Sequence, residues 1–102
     1  MLISYNSQTL QEICFQDSTA VEYLGEEVAI SLQARHSDLQ AADNVFELPV
    51  GKVDVDGSNC VLSFGDHLSV KMVSNYGPPQ NGEIYDWKTV QRVKIMGIND
   101  VQ

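Results

Sequence analysis

Lys52-Val53-Asp54-Val55-Asp56-Gly57-Ser58-Asn59-Cys60-Val61-Leu62-Ser63-Phe64-Gly65-Asp66-His67-Leu68-Ser69-Val70-Lys71-Met72 is the stretch that decides the fold. Val53 and Val55 alternate with polar neighbours, and Asp56-Gly57 is the strongest short hairpin signal in the chain. Cys60, Leu62 and Phe64 then share one side, Gly65-Asp66 makes a second turn, and Leu68, Val70 and Met72 alternate with Ser69 and Lys71. A period of two held through three segments and two tight turns predicts an antiparallel meander with one buried face.

Toward the C-terminus, Ser74 to Asp86 contains Gly77-Pro78-Pro79 and Asn81-Gly82, which predicts a loop of the length that often carries function. Asp86 is placed to cap a short turn through Trp87 and Val90. Gln91 to Ile98 reads as a final strand with Val93 and Ile95 on one face, and Asn99 to Gln102 as a short polar tail.

Upstream of Pro49 and Gly51 the period changes to about 3.6. Leu2 to Tyr5 is a short β-type stretch, and Asn6-Ser7 offers an N-cap for a helix through about Phe15, with Leu10, Ile13 and Cys14 as its buried stripe. Asp17-Ser18-Thr19 restarts helix, with Thr19 and Glu22 spaced as a capping box, and Gly25 marks a break. From Glu26 to about Asp43 a longer helix follows, with Val28, Leu32, Arg35, Leu39 and Ala42 recurring on one face and two glutamates in its first turn. The order strand, helices, four strands predicts an α+β fold, with N-terminal helices packed on a mostly antiparallel sheet of four to five strands.

At 102 residues and 43% hydrophobic content, the chain has room for one domain and one core without covalent staples. Its longest apolar runs, such as Val28-Ala29-Ile30, are far short of the roughly 18 residues that span a bilayer. Met1 to Leu10 lacks the basic start and sustained apolar core of a signal peptide, so a cytoplasmic location is expected. Cys14 and Cys60 sit in no C-x-x-C pair and are expected as free, buried thiols rather than metal ligands.

The net charge of −8 is unevenly spread. Residues 1 to 51 hold eight carboxylates and one arginine, while residues 52 to 102 hold six carboxylates and five lysines or arginines. Bulk phosphate binding needs clustered cations, so this total disfavours general nucleic-acid binding. An acidic helical face suits a basic protein partner, although in most proteins a charged face is simply solvated.

No phosphate-binding glycine loop, dinucleotide fingerprint, metalloprotease helix or nucleophile elbow occurs. His36, beside Arg35 and near Asp38, and His67, in a turn, are each more readily structural or solvated than catalytic. Asp54 and Asp56 read as turn chemistry rather than a cation site. Lys88, Arg92 and Lys94 form the one basic cluster. Arg92 and Lys94 project from the same strand face, either as a phosphate site or as charges protecting a sheet edge. Tyr76 and Tyr85 flank the proline-rich loop and could stack a base, or anchor the loop.

The segment Gly82-Glu83-Ile84-Tyr85-Asp86-Trp87-Lys88-Thr89-Val90-Gln91-Arg92-Val93-Lys94-Ile95 resembles the terminal block of HigB/RelE-type toxins, in which an Asp-Trp and an Arg-Val-x-Ile strand close the domain. Leu24-Gly25, Leu32-Gln33-Ala34-Arg35, Leu39-Gln40-Ala41-Ala42 and Leu48-Pro49 are similar to that family's helix pair and its exit. The resemblance covers most of the chain in matching order. It implies a single toxin-like domain over residues 1 to 102, with helices on a curled sheet. It also implies cleavage of mRNA in the translating ribosome without metal or cofactor, held inactive by a cognate helix-turn-helix antitoxin.

If the chain cleaves RNA, charge type and strand position nominate Arg92 and Lys94 to stabilise phosphate charge, with Lys52, Lys71 and Tyr85 contacting substrate. The chain departs from the family at two places. Val53-Asp54-Val55-Asp56-Gly57 stands where relatives commonly carry a basic Lys-Gly-Asp-Arg type loop, and the chain ends Ile98-Asn99-Asp100-Val101-Gln102 where many end in an Asp-Tyr-His type tail. These departures motivate an alternative expectation, a non-catalytic binding module of the same fold that uses its acidic helices. A third possibility, a small-ligand protein with the Ser74 to Asp86 loop as a lid, rests on the loop and its tyrosines.

Overall fold

The computed structural model describes residues 1–75 and 86–102. A first strand β1 (Leu2–Tyr5) leads into helices α1 (Gln8–Phe15), α2 (Asp17–Leu24) and α3 (Glu26–Ala41), then a short 3-10 turn at Val45–Glu47. Strands β2 (Lys52–Asp56), β3 (Asn59–Phe64), β4 (Leu68–Ser74) and β5 (Arg92–Ile98) follow. The strands form one five-stranded sheet in the order β1-β5-β4-β3-β2. Three of its pairings are antiparallel, and β1 lies parallel to β5. The chain is α+β, as the change of period from 3.6 to 2 predicts.

Local chemistry accounts for most boundaries. Ser7 caps α1, its Oγ accepting from the Leu10 amide at 3.2 Å. Gly25 separates α2 from α3 at φ 84°, ψ 164°, a conformation open essentially to glycine alone. Gly57 turns β2 into β3 at φ 57°. The expected Thr19–Glu22 capping box does not form: α2 starts earlier, at Asp17, and Thr19 Oγ1 donates instead to Gln16 Oε1.

The core lies between the helices and one face of the sheet. Leu10 and Ile13 of α1, Leu32 and Leu39 of α3, and Cys60, Leu62, Val70, Met72, Val93 and Ile95 of the strands are its buried members. The buried stripe of α3 runs through Ala29, Leu32, His36 and Leu39, while Val28 and Arg35 flank it half-buried. The expected stripe was therefore turned by one residue at two positions. His36 fits between Leu32 and Leu39 at four and three residues, and it is buried with them.

Trp87 and Val90 close one end of this core. Asp86 organises the turn that carries them, its Oδ1 accepting from the Lys88 amide and its carbonyl from the Thr89 amide and hydroxyl. The Trp87 Nε1–H donates to the Gly57 carbonyl at 2.8 Å, tying the segment before β5 to the β2–β3 hairpin. At the other end the expected polar tail is folded back: Val101 bridges to Ile98, and Asn99 Oδ1 accepts from the Ser69 amide at 2.8 Å. No helix among the described residues is long and apolar enough to cross a membrane.

Candidate functional site

Cross-strand partners share a face, so the register fixes what the sheet shows on the side away from the helices. One row there is Lys52, Ser63, Ser69, and the next is Asp54, Val61, Lys71, Gly97. The third is Asp56, Asn59, Val73, Lys94, Ser4, and beyond it Arg92 stands beside Leu2. The burial pattern agrees: along β5 the inward Val93 and Ile95 are buried while Arg92 is exposed and Lys94 half-exposed, and Lys71 is the exposed residue of β4.

The four expected cationic residues, Lys52, Lys71, Arg92 and Lys94, therefore lie on a single sheet face. Arg92 and Lys94 are about 6.6 Å apart along β5, two residues at ~3.3 Å each. Lys71 is the diagonal neighbour of Lys94, about 7–8 Å away through Val73. These three form one oblique strip. Lys52 lies two strands farther on at the rim, separated from Lys71 by Ser63 and by Val61. Tyr85, and with it Tyr76, lies outside the described residues.

Strand order settles one of the two readings of the basic strand. β5 is not an edge: it is flanked by β1 and β4, and the two edges are β1 and β2. Arg92 and Lys94 therefore protect no free backbone, and the edge-protection reading does not hold. None of Lys52, Lys71, Arg92 and Lys94 pairs with a carboxylate among the described residues; the ion pair there is Arg35 Nε to Asp38 Oδ2 at 3.1 Å, on α3. Cations on inner strands that no described carboxylate pairs offer their charge to a ligand.

The same geometry lessens the objection from net charge. Glu22, Glu26 and Glu27 are exposed on the helical layer, with Asp43 and Glu47 just after it. The opposite sheet face carries four cations against Asp54 and Asp56, which both sit on β2. The sorting is partial: Asp43 shares a groove with Arg92, and Asp66 and Asp100 share a hollow with Lys71.

Neither histidine is near the Arg92 end of the strip. His67 is in the turn after β3, next to Asn99, where it lines an open hollow with Lys71, Asp66 and Asp100. Seven strand residues at ~3.3 Å put it about 23 Å from Arg92. Its Nε2 is 3.5 Å from Ser31 Oγ. His36 is on the inner side, with Nε2 2.7 Å from the Tyr5 hydroxyl, and burial lowers its pKa from the ordinary 6.5. Burial and the nearby Cys14 push the Tyr5 phenol up to about 12, so the contact is a phenol donating to a neutral imidazole. Phe15 stands edge-on to this imidazole with ring centroids 5.1 Å apart.

Cys14 and Cys60 are free and buried, as expected, and burial pushes both thiols up to about 12. No group of three or more histidine, cysteine or carboxylate side chains able to hold a metal ion occurs among the described residues. The strip can thus neutralise and orient an anion, and the imidazole that shares a hollow with it, His67, is at its Lys71 end. Sequence reasoning passed over Ser4 and Asn75, which flank Arg92 and Lys94; their only signal is register, and register belongs to pairing between distant segments. No protein-family model matches the chain, and no curated protein or solved structure matches it.

Proposed function

We propose that this chain is the toxin component of a HigB/RelE-like toxin-antitoxin pair, engaging mRNA in the translating ribosome through the outer sheet face. The observation that carries the reading is the strip Lys71, Lys94 and Arg92 on two inner strands, none of which pairs with a carboxylate among the described residues. In cleavage by the ribose 2′-hydroxyl, charge grows on the phosphate, and preplaced cations stabilise that charge. Arg92 and Lys94 take this role, Lys71 orients the neighbouring backbone, and Lys52 makes a peripheral contact. The reaction uses no metal or cofactor. The acidic helical layer, on the other side of the sheet, is open to the basic surface of a helix-turn-helix antitoxin.

A second reading, a non-catalytic binding module of the same fold, is favoured by the groove at Arg92, whose described lining of Met1, Leu2, Asp43 and Gln91 holds no imidazole. Cations alone lower the barrier by charge stabilisation, whereas general acid-base catalysis adds typically 10²–10⁴-fold. Inducing the chain in bacteria without a partner gene and mapping transcript ends within minutes separates the two. Cuts confined to translated transcripts support the toxin; a soluble chain producing none, beside an active relative, supports the module.

A further inference from the structure

Between Arg92 and Lys94 the sheet face holds two neutral polar side chains that already contact each other. Ser4 stands opposite Lys94 in the parallel β1–β5 pair. Asn75 continues β4 opposite Arg92, its backbone N–H donating to the Arg92 carbonyl at 2.9 Å. Asn75 Nδ2 donates to Ser4 Oγ at 3.3 Å, so the bond crosses β5 obliquely between the two cationic positions. Ser4 Oγ is itself 3.4 Å from the Val93 carbonyl, to which it donates. Ser4 thus anchors the amide, and no described group takes the second N–H of Asn75.

We infer that Ser4 and Asn75 complete, with Arg92 and Lys94, a binding subsite for a phosphodiester of single-stranded RNA. Asn75 gives its second amide N–H to a non-bridging phosphate oxygen. This rests on the proposed RNA-directed reading and adds to it two residues that carry no charge. The cations supply attraction, which is long-ranged and tolerant of position; the amide, held by Ser4, supplies direction. Asp43 lines an open groove of about 530 Å³ with Met1, Leu2, Gln91 and Arg92. A polyanion with one phosphate at Arg92 and the next toward Lys94 and Lys71 matches two cations on alternate residues of one strand.

The test is binding of a fluorescently labelled single-stranded RNA to the whole chain, followed by anisotropy across a salt series. Asn75→Ala is expected to weaken binding about tenfold, the loss of one hydrogen bond to a charged group, with the salt dependence unchanged. Asn75→Asp keeps the size of the side chain and puts a carboxylate between the cations, and is expected to weaken binding further. Ser4→Ala, which frees the amide, is expected to fall between wild type and Asn75→Ala. Lys94→Gln is expected to lower the slope of log K against log salt by about 0.7, one phosphate contact on a single strand. Asn75 is exposed and its backbone bond survives substitution, so thermal midpoints should stay at the wild-type value. Wild-type affinity in Asn75→Ala and Asn75→Asp, with Lys94→Gln and Arg92→Gln weakened, overturns the subsite and leaves the basic strip standing. Absence of RNA binding by the wild-type chain, or indifference to Arg92→Gln and Lys94→Gln, overturns both.

Discussion

The Tyr5 hydroxyl lies 2.7 Å from Nε2 of His36, joining the first strand to the longest helix by a hydrogen bond that requires a neutral imidazole. His36 is 6% exposed, and burial lowers its pKa. The unfolded chain takes up a proton near the ordinary value of 6.5, whereas the folded chain does so only at lower pH. The resulting stability is held above about pH 6.5 and is lost as pH falls through the folded value. Thermal unfolding at pH 7.5 and pH 5 is expected to show a drop in midpoint that shrinks in His36→Leu. Tyr5→Phe leaves Nε2 without its partner and is expected to cost about 1–3 kcal/mol in urea unfolding at neutral pH.

Trp87 is 3% exposed and is pinned to Gly57 by its indole N–H. Trp87→Ala removes the plug at that end of the core and is expected to cost about 3–5 kcal/mol. Trp87→Phe keeps most of the volume but orphans the Gly57 carbonyl, so a smaller loss, about 1–2 kcal/mol, is expected in the same denaturant titration.

Two glycines with positive φ separate backbone strain from collision. At Gly25 a Cβ meets nothing within 4 Å, so Gly25→Ala costs only the strain of an unfavourable backbone region, about 1–3 kcal/mol. At Gly51, φ 100°, a Cβ would lie 2.5 Å from the Phe64 ring. Gly51→Ala is expected to be the more destabilising, measured by the shift in urea midpoint; a larger loss at Gly25 would contradict this.

Cys14 and Cys60 are both buried with thiols pushed up to about 12, so neither offers thiolate at neutral pH. A thiol reagent at pH 7.5 is expected to label both only as fast as the chain unfolds. Immediate labelling in the absence of denaturant would show that the core around α1 or β3 opens locally.

What the sequence discloses here follows the range of each interaction. The β2–β3–β4 meander is legible because alternation and the Asp56-Gly57 and Gly65-Asp66 turns are local, and observed β2, β3 and β4 follow them. His36 was also accessible in principle, since Leu32, His36 and Leu39 keep helical spacing, but an imidazole weighs little in a hydrophobic pattern. The parallel pairing of β1 with β5 joins residues about ninety positions apart, for example Ser4 with Lys94, and no local signal announces it. That pairing makes β5 an inner strand and brings Ser4 to the strip. The four cations were nameable from charge and strand position, while their common face required the register, and Asn75 required the end of β4.

The proposed function places activity on the basic sheet face rather than on the acidic helices. Its most direct measurement is the yield of cuts in translated transcripts after induction without antitoxin, comparing wild type, Arg92→Ala/Lys94→Ala and Glu26→Gln/Glu27→Gln at equal soluble levels. The expected result is that the sheet variant loses cleavage while the helix variant cuts as wild type does. Full cleavage in the sheet variant, or loss confined to the helix variant, would contradict the assignment.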